Sequence, residues 1–327
     1  MRKIISRTAI VLLALGVIFI AGFLMLHHRR ARAVTRSLYT KADPPNTQAN
    51  PGYEIPRKLA DLKDPAIKES SGIVASRSNP GLYWTHNDSG DGPFLYAFDE
   101  RGQRRGVWQV AGAKARDWES IAAGPGPDHA KHYLYVGDIG DNSGKREEIA
   151  VYRVVEPVAA ASQTQTTKKQ PANTENADVI RLRYPNEKHN AEALLVHPRT
   201  GDLYIVTKET LATPHVYRAS APFKNGDLVT LKFVGPLSIP SMLGGIVTDG
   251  AISPDGKRVV ICDYLRGYEL VLQKSATNFD SIWKEPMTAI TLGERKQGEA
   301  ITYRLDGRAL LVTSEGSPAP LIEIVRR

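Results

Sequence analysis

The placement of apolar and polar positions divides the chain into two unlike parts. Residues 8–26 (TAIVLLALGVIFIAGFLML) carry no charge, and as a helix they would extend about 28 Å, close to the hydrocarbon thickness of a bilayer. Every face of that helix is apolar. From Tyr53 onward the pattern changes to short runs rich in β-branched and aromatic residues, separated by turn signals. Five of these runs open on an acidic residue followed by small and apolar ones: Glu69-Ser70-Ser71-Gly72-Ile73, Glu119-Ser120-Ile121-Ala122, Glu192-Ala193-Leu194-Leu195, Asp249-Gly250-Ala251-Ile252 and Glu299-Ala300-Ile301-Thr302. A turn and a second apolar run follow each (NPGLYWT, HYLYVGD, RTGDLYIVT, PDGKRVVIC, LDGRALLVT). A third run comes next (FLYAFD, IAVYRVV, PHVYRAS, YELVLQK, PLIEIVRR). A fourth precedes the next acid (GVWQVAG, DVIRLRY, LVTLKFVGP, MTAITLG).

Four short antiparallel strands repeating at this scale predict an all-β fold, a β-propeller with one blade per repeat. The repeat count gives five blades, with six possible if one is too degenerate to recognise. The acids are spaced by 50, 73, 57 and 50 residues, and the long interval contains the polar, low-complexity segment 157–177 (PVAAASQTQTTKKQPANTENA). This segment predicts a flexible loop between the third and fourth strands of the second blade. The last repeat ends at Arg327 after three strands. YEIPRKLADL (53–62) supplies the missing one, so the predicted ring closes by pairing N- and C-terminal strands, which leaves no open sheet edge. The propeller is therefore expected over 53–327.

The apolar run ends in HHRRAR rather than at a small-residue cleavage site, and residues 1–36 predict an uncleaved signal anchor with basic flanks, a single transmembrane helix. Residues 37–52, with Asp43-Pro44-Pro45-Asn46 and Asn50-Pro51-Gly52, predict a polar tether. A literal positive-inside count would leave the body in the cytoplasm, because more basic residues follow the span than precede it. A short basic tail before the first apolar segment is nevertheless the usual arrangement of an export signal, and the expected location of the propeller is periplasmic or extracellular.

Charge first suggests an anionic partner, since 43 Lys and Arg face 35 Asp and Glu, a net charge of +8. Residues 1–42 hold eight of the basic side chains and no acid, so the remainder balances 35 against 35. No nucleic-acid partner is expected from a neutral body. The expected partners are the membrane, through the N-terminal helix, and a small molecule or protein at the propeller mouth. The one cysteine, Cys262, forbids an intrachain disulfide and follows an apolar strand. No GxSxG, HExxH or GxxxxGK[ST] motif occurs.

The candidate chemistry lies in the recurring acids. Innermost strands line the channel of a propeller, so Glu69, Glu119, Glu192, Asp249 and Glu299 are expected near one end of it. Asp138, in the loop after the second strand of the second blade, joins them as a candidate ligand. Carboxylates gathered so closely must take up protons or be neutralised by a cation. An oxygen-rich cage suits Ca²⁺ rather than Zn²⁺, for which no His/Cys set is present. The plainer alternative is that these acids bond to backbone N–H groups or to Lys and Arg. His86 and Asp88, in the first blade's loop, are the candidate general bases.

The segments ESSGIVASRSNPGLYWTHNDSG (69–90), DWESIA (117–122), YVGDIGDN (135–142), EALLVHPRTGDLYIVTKE (192–209) and QGEAITYRLDGRALLVTSEG (297–316) resemble a family of exported bacterial β-propeller proteins, over nearly the whole chain after the tether. The architecture and acidic channel are distantly similar to phytase-like and gluconolactonase/paraoxonase-like propellers. That resemblance implies a Ca²⁺ ion in the channel. Two functions follow as expectations: a membrane-tethered extracytoplasmic binding or scaffold module with a cation in its channel, or a metal-dependent hydrolase of a phosphoester, lactone or glycosidic substrate.

Overall fold

The computed structural model describes residues 52–159, 165–210, 212–241 and 244–327. The expected anchor, and all of the expected tether except Gly52, lie outside the described residues. Among those described, no helix is long and apolar enough to cross a membrane.

Five sheets, each with a core of four antiparallel strands, form a five-bladed propeller. From the axis outward, blade one contains Ser70–Ala75, Leu82–Asn87, Phe94–Asp99 and Arg104–Gln109, and blade two Trp118–Gly124, Tyr133–Asp138, Ile149–Val155 and Asp178–Arg183. Blade three contains Ala191–Val196, Leu203–Thr207, His215–Ala219 and Lys232–Pro236, and blade four Asp249–Ile252, Arg258–Cys262, Arg266–Val271 and Thr288–Thr291. Blade five takes Gly298–Tyr303, Ala309–Ser314 and Pro320–Val325 from the end of the chain and Arg57–Asp61 from near its start. This last strand pairs antiparallel with Pro320–Val325, the closure expected from the repeats.

A twisted four-stranded sheet has two apolar faces here, and each must be buried against a neighbour. Five apolar clusters do so, one at each interface between blades. Trp84, Trp108 and Trp118 fill the space between blades one and two, with the rings of Trp84 and Trp108 edge to face at 4.9 Å. Ala193, Leu195, Val247, Val259 and Ile261 fill that between blades three and four. Glu156 adds a polar tie at the first interface. Its carboxylate accepts from Ser76 Oγ (2.5 Å), Trp84 Nε1 (2.8 Å) and the backbone N–H groups of Arg77 and Ser78.

Two local features differ from the pattern read in the sequence. The run LVTLKFVGP is not one strand: Leu228–Thr230 pairs parallel with the outer strand of blade two, and Lys232–Pro236 completes blade three. Of the segment expected as a flexible loop, residues 165–177 run along the outer edge of blade one. Ala172–Asn173 pairs parallel with Trp108–Gln109 there, and Thr166 and Thr174 accept from Val107 N and Ala111 N. Threonines that read as low complexity supply acceptors for an otherwise open strand edge.

The innermost strands are tied directly across the blades. Ser71 Oγ donates to Glu119 O (3.1 Å), Ser120 Oγ to Leu194 O (3.4 Å) and Thr248 Oγ1 to Gly298 O (3.1 Å), while Ser70 and Thr313 share a hydroxyl hydrogen bond of 2.8 Å. Asp249 links three blades. Its Oδ1 accepts from Ser120 Oγ (2.7 Å) and its Oδ2 from Ile301 N (3.0 Å). Burial raises its pKa well above the ordinary carboxylate value, so the protonated, neutral form is favoured. Asp249→Asn preserves an acceptor for Ile301 N–H and a polar partner for Ser120 and is expected to lie within about 1 kcal/mol of wild type, whereas Asp249→Ala is expected to cost about 3 kcal/mol. Denaturant unfolding of the two variants checks this; equal losses would show that an amide cannot replace the Asp249 carboxyl group in these bonds.

Candidate metal centre at the channel mouth

A β-bulge recurs at the start of the innermost strands and governs the site. In blade two Trp118 pairs with Asp138 and Ser120 with Gly137, which leaves Glu119 as the extra residue; Glu192 is left over in the same way in blade three. The ladder irregularity of blade five spans Glu299. A bulged residue escapes the strict alternation of a strand, so its side chain can be re-aimed. In blade one the extra residue is Ser71, not the expected acid. Glu69 lies two residues earlier, exposed at the rim, where it bridges to Glu315. The two adjacent serines of Glu69-Ser70-Ser71 leave the register ambiguous without knowledge of where the bulge falls.

Three carboxylates converge at the mouth: one oxygen from each of Asp88, Asp117 and Glu119 lies within 4.8 Å of the others. Glu119 is buried, whereas Asp88 and Asp117 are partly exposed, so the cluster opens toward solvent. Among the described residues no Lys or Arg forms an ion pair with any of the three. Gly140 forms the floor: a Cβ there would collide with the carboxylate oxygens of both Glu119 and Asp117. The donor set is entirely carboxylate oxygen, and a side chain at residue 140 would press on two of its three members. This arrangement fits a hard cation.

Electrostatics carry the same sense. Burial raises the Asp117 pKa to about 6, with the Asp88 charge adding to it. Burial also pushes Glu119 strongly upward, reinforced by Glu192, Asp88 and Asp117. Glu315, on the neighbouring rim, is raised to about 7 by burial and then by Glu69 and Asp88. The group holds protons that isolated carboxylates would have released, because like charges in a partly dry site repel.

The other expected residues divide by what the fold has already bonded to them. Glu192 accepts from Lys208 Nζ at 2.8 Å, and the ammonium also lies over the Tyr264 ring at 5.2 Å. Glu299 is buried, with Gln297 Nε2 donating to it at 2.8 Å. Asp249 has both oxygens engaged, as described above. Asp138 accepts from the backbone N–H groups of Arg116 and Asp117 (3.2 Å each) and pairs with Arg146 at 2.7 Å. It holds Asp117 in place rather than joining the triad. His86 does not reach the mouth. It is fully buried against Trp118, its Nδ1 bonds to Asn87 O at 2.9 Å, and burial lowers its pKa. A neutral imidazole sealed from solvent has no substrate proton to accept.

The structure thus brings Asp88 and Glu119 together with Asp117, which the acid repeat did not single out. Asp117 precedes the strand Trp118–Gly124, and with Glu119 in the bulge, strand alternation gave no signal that pairs the two. Comparison with models of known protein families finds none that matches, and comparison with curated proteins finds no significant match.

A raised carboxylate pKa in the folded state means stability that is complete below the unfolded pKa and lost as pH rises toward the folded value. With chelator present, wild type and Asp117→Asn are therefore expected to melt together near pH 4, the variant becoming the more stable as pH rises to about 6. Melting temperatures across that range check this; a pH-independent difference would place Asp117 outside the repulsive cluster.

Proposed function

We propose that the protein is a membrane-tethered, extracytoplasmic β-propeller that binds a divalent, oxygen-preferring cation, Ca²⁺ first among them, and presents it at the mouth to a small molecule or protein. The observation that carries the reading is the convergence of Asp88, Asp117 and Glu119 above the bare Gly140, without a basic partner among the described residues. A bound cation would compete with the protons favoured on Asp117 and Glu119 and supply Lewis-acid character to an oxygen donor reaching the mouth. This chain's own residues do the rest: Asp138, held by Arg146, fixes the backbone of Asp117 just before the strand that carries Glu119, and Lys208 neutralises Glu192 beside them.

The hydrolase reading draws less support. Of the two bases named for it, His86 is buried in blade one and Asp88 belongs to the triad. The binding reading needs neither as a base. The tether and the extracytoplasmic location rest on the charge-free run at 8–26 and on the resemblance to exported propellers.

A ligand bound only by the folded state raises its stability. Ca²⁺ is expected to raise the melting temperature of the full chain and chelator to reverse the effect. Gly140→Ala, which removes no ligand, is expected to abolish the response, as is Glu119→Gln. Calorimetric titration showing no Ca²⁺ or Mg²⁺ binding to wild type, or unaltered binding to Gly140→Ala, would refute the site. The tether has its own test: protease added to cells with an opened outer envelope is expected to digest the propeller without lysis, and protection until lysis would place it inside.

A further inference from the structure

The three acids at the mouth come from two blades. Asp117 and Glu119 lie on one stretch of blade two, where Asp138 accepts the Asp117 backbone N–H. Asp88 comes from blade one, on the loop 88–93 between the strands Leu82–Asn87 and Phe94–Asp99. Its spacing from the other two therefore depends on how blade one is held against blade two and on the conformation of that loop.

Ser89 and Gly90 at the loop tip are exposed, so side-chain bonds rather than packing fix the loop. Its near end is held by Asn87, whose Oδ1 accepts from the backbone N–H groups of Lys68 (2.9 Å) and Glu69 (3.0 Å). Its far end is held by Asp91. There Oδ2 accepts from the Tyr96 hydroxyl at 2.8 Å, and Oδ1 accepts from Lys168 Nζ. Lys168 belongs to the insertion of blade two. Its ammonium also lies 5.6 Å from the centroid of the Phe94 ring, the residue that follows the loop. Around Lys168 the insertion is docked on blade one, by Thr166 accepting from Val107 N (2.8 Å) and by the parallel pairing of Ala172–Asn173 with Trp108–Gln109. One segment of blade two thus grips both the outer strand of blade one and the loop that carries Asp88. With Lys168 39% and Asp91 11% accessible, this ion pair adds little to global stability. Its placement next to Asp88 gives it a different use.

We propose that Lys168 is a positioning residue of the cation site: through Asp91 it fixes the loop that presents Asp88 to Asp117 and Glu119, so that docking of the insertion and binding of the cation favour each other. This role rests on the cation reading of the mouth. The sign of a substitution separates positioning from plain electrostatics. Removing a positive charge near an acidic site would, by Coulomb's law alone, strengthen cation binding. Losing a positioning contact weakens it.

Calorimetric titration of the full chain with Ca²⁺ tests the role. Lys168→Ala is expected to weaken binding about fivefold, Lys168→Arg to restore most of it, and Lys169→Ala, at the exposed neighbour, not to weaken it. In chelator Lys168→Ala is expected to melt with wild type. Coupling is reciprocal, so Ca²⁺ is expected to slow trypsin cleavage at Lys169 in wild type but not in Lys168→Ala. Positioning is overturned, with the cation reading intact, if Lys168→Ala binds Ca²⁺ as tightly as wild type or more tightly. The same holds if Lys169→Ala weakens binding equally, if Lys168→Arg restores nothing, or if Ca²⁺ protects the insertion equally in wild type and Lys168→Ala. Absence of Ca²⁺ binding by wild type would instead refute the cation reading, and this role with it.

Discussion

Closure of five innermost strands around one narrow axis is the constraint on which the remainder of the structure depends. Hydroxyl groups of Ser70, Ser71, Ser120 and Thr248 bond to neighbouring blades, and Asp249 spans blades two, four and five with its two oxygens. Between blades three and four the contact is carried by Ala193, Leu195, Val247, Val259 and Ile261 instead. Strands this close admit small residues at the contact: a Cβ at Gly72 would crowd His86 and the backbone N of Ile121. Serine, threonine, alanine and glycine dominate the starts of these strands because each must fit and the hydroxyls must bond.

That closeness creates the electrostatic problem at the mouth. Bulges aim Glu119 and Glu192 into a confined, partly dry space, where Coulomb repulsion is far stronger than in water. The fold solves it on one side only. Lys208 neutralises Glu192, and Gln297 donates to Glu299. Among the described residues no Lys or Arg forms an ion pair with Asp88, Asp117 or Glu119, and burial, with repulsion between the carboxylates adding to it, raises the pKa of Asp117 and of Glu119. A cluster with an open face, uncompensated charge and a glycine floor is arranged to receive a positive ion.

Much of the fold was legible in the sequence because strand period and turn chemistry are local properties. The four-run repeat, the closing strand near Arg57 and the position of the 157–177 insertion between two strands of blade two follow from them. What was not legible depends on register. A single bulge exchanges Ser71 for Glu69 at the axis, and nothing in Glu69-Ser70-Ser71-Gly72 marks where it falls. The insert's docking on blade one was hidden for a related reason, since Thr166 and Thr174 act as acceptors only once an open edge lies beside them. His86 looked like a mouth residue from its place in a polar loop sequence, yet it belongs to the strand Leu82–Asn87 and faces Trp118.

The acids of blade two show why residue type alone could not separate ligand from scaffold. Asp117, Asp138 and Asp141 lie within one stretch of chain and share the same chemistry. Asp141 accepts from Lys145 N, Arg146 N and Ser143 Oγ, which shapes its own loop and holds its pKa below the ordinary value despite the opposing effect of burial. Asp138 is bonded to two backbone N–H groups and to Arg146. Asp117 instead donates its backbone N–H to Asp138, and its carboxylate faces other acids. Opposite pKa directions follow from opposite partners: bonds from N–H groups favour the carboxylate, whereas neighbouring carboxylates oppose it. The lone pairs left uncommitted by the fold, rather than the presence of an acid in the repeat, therefore distinguish the residues available to an ion from those that build its site.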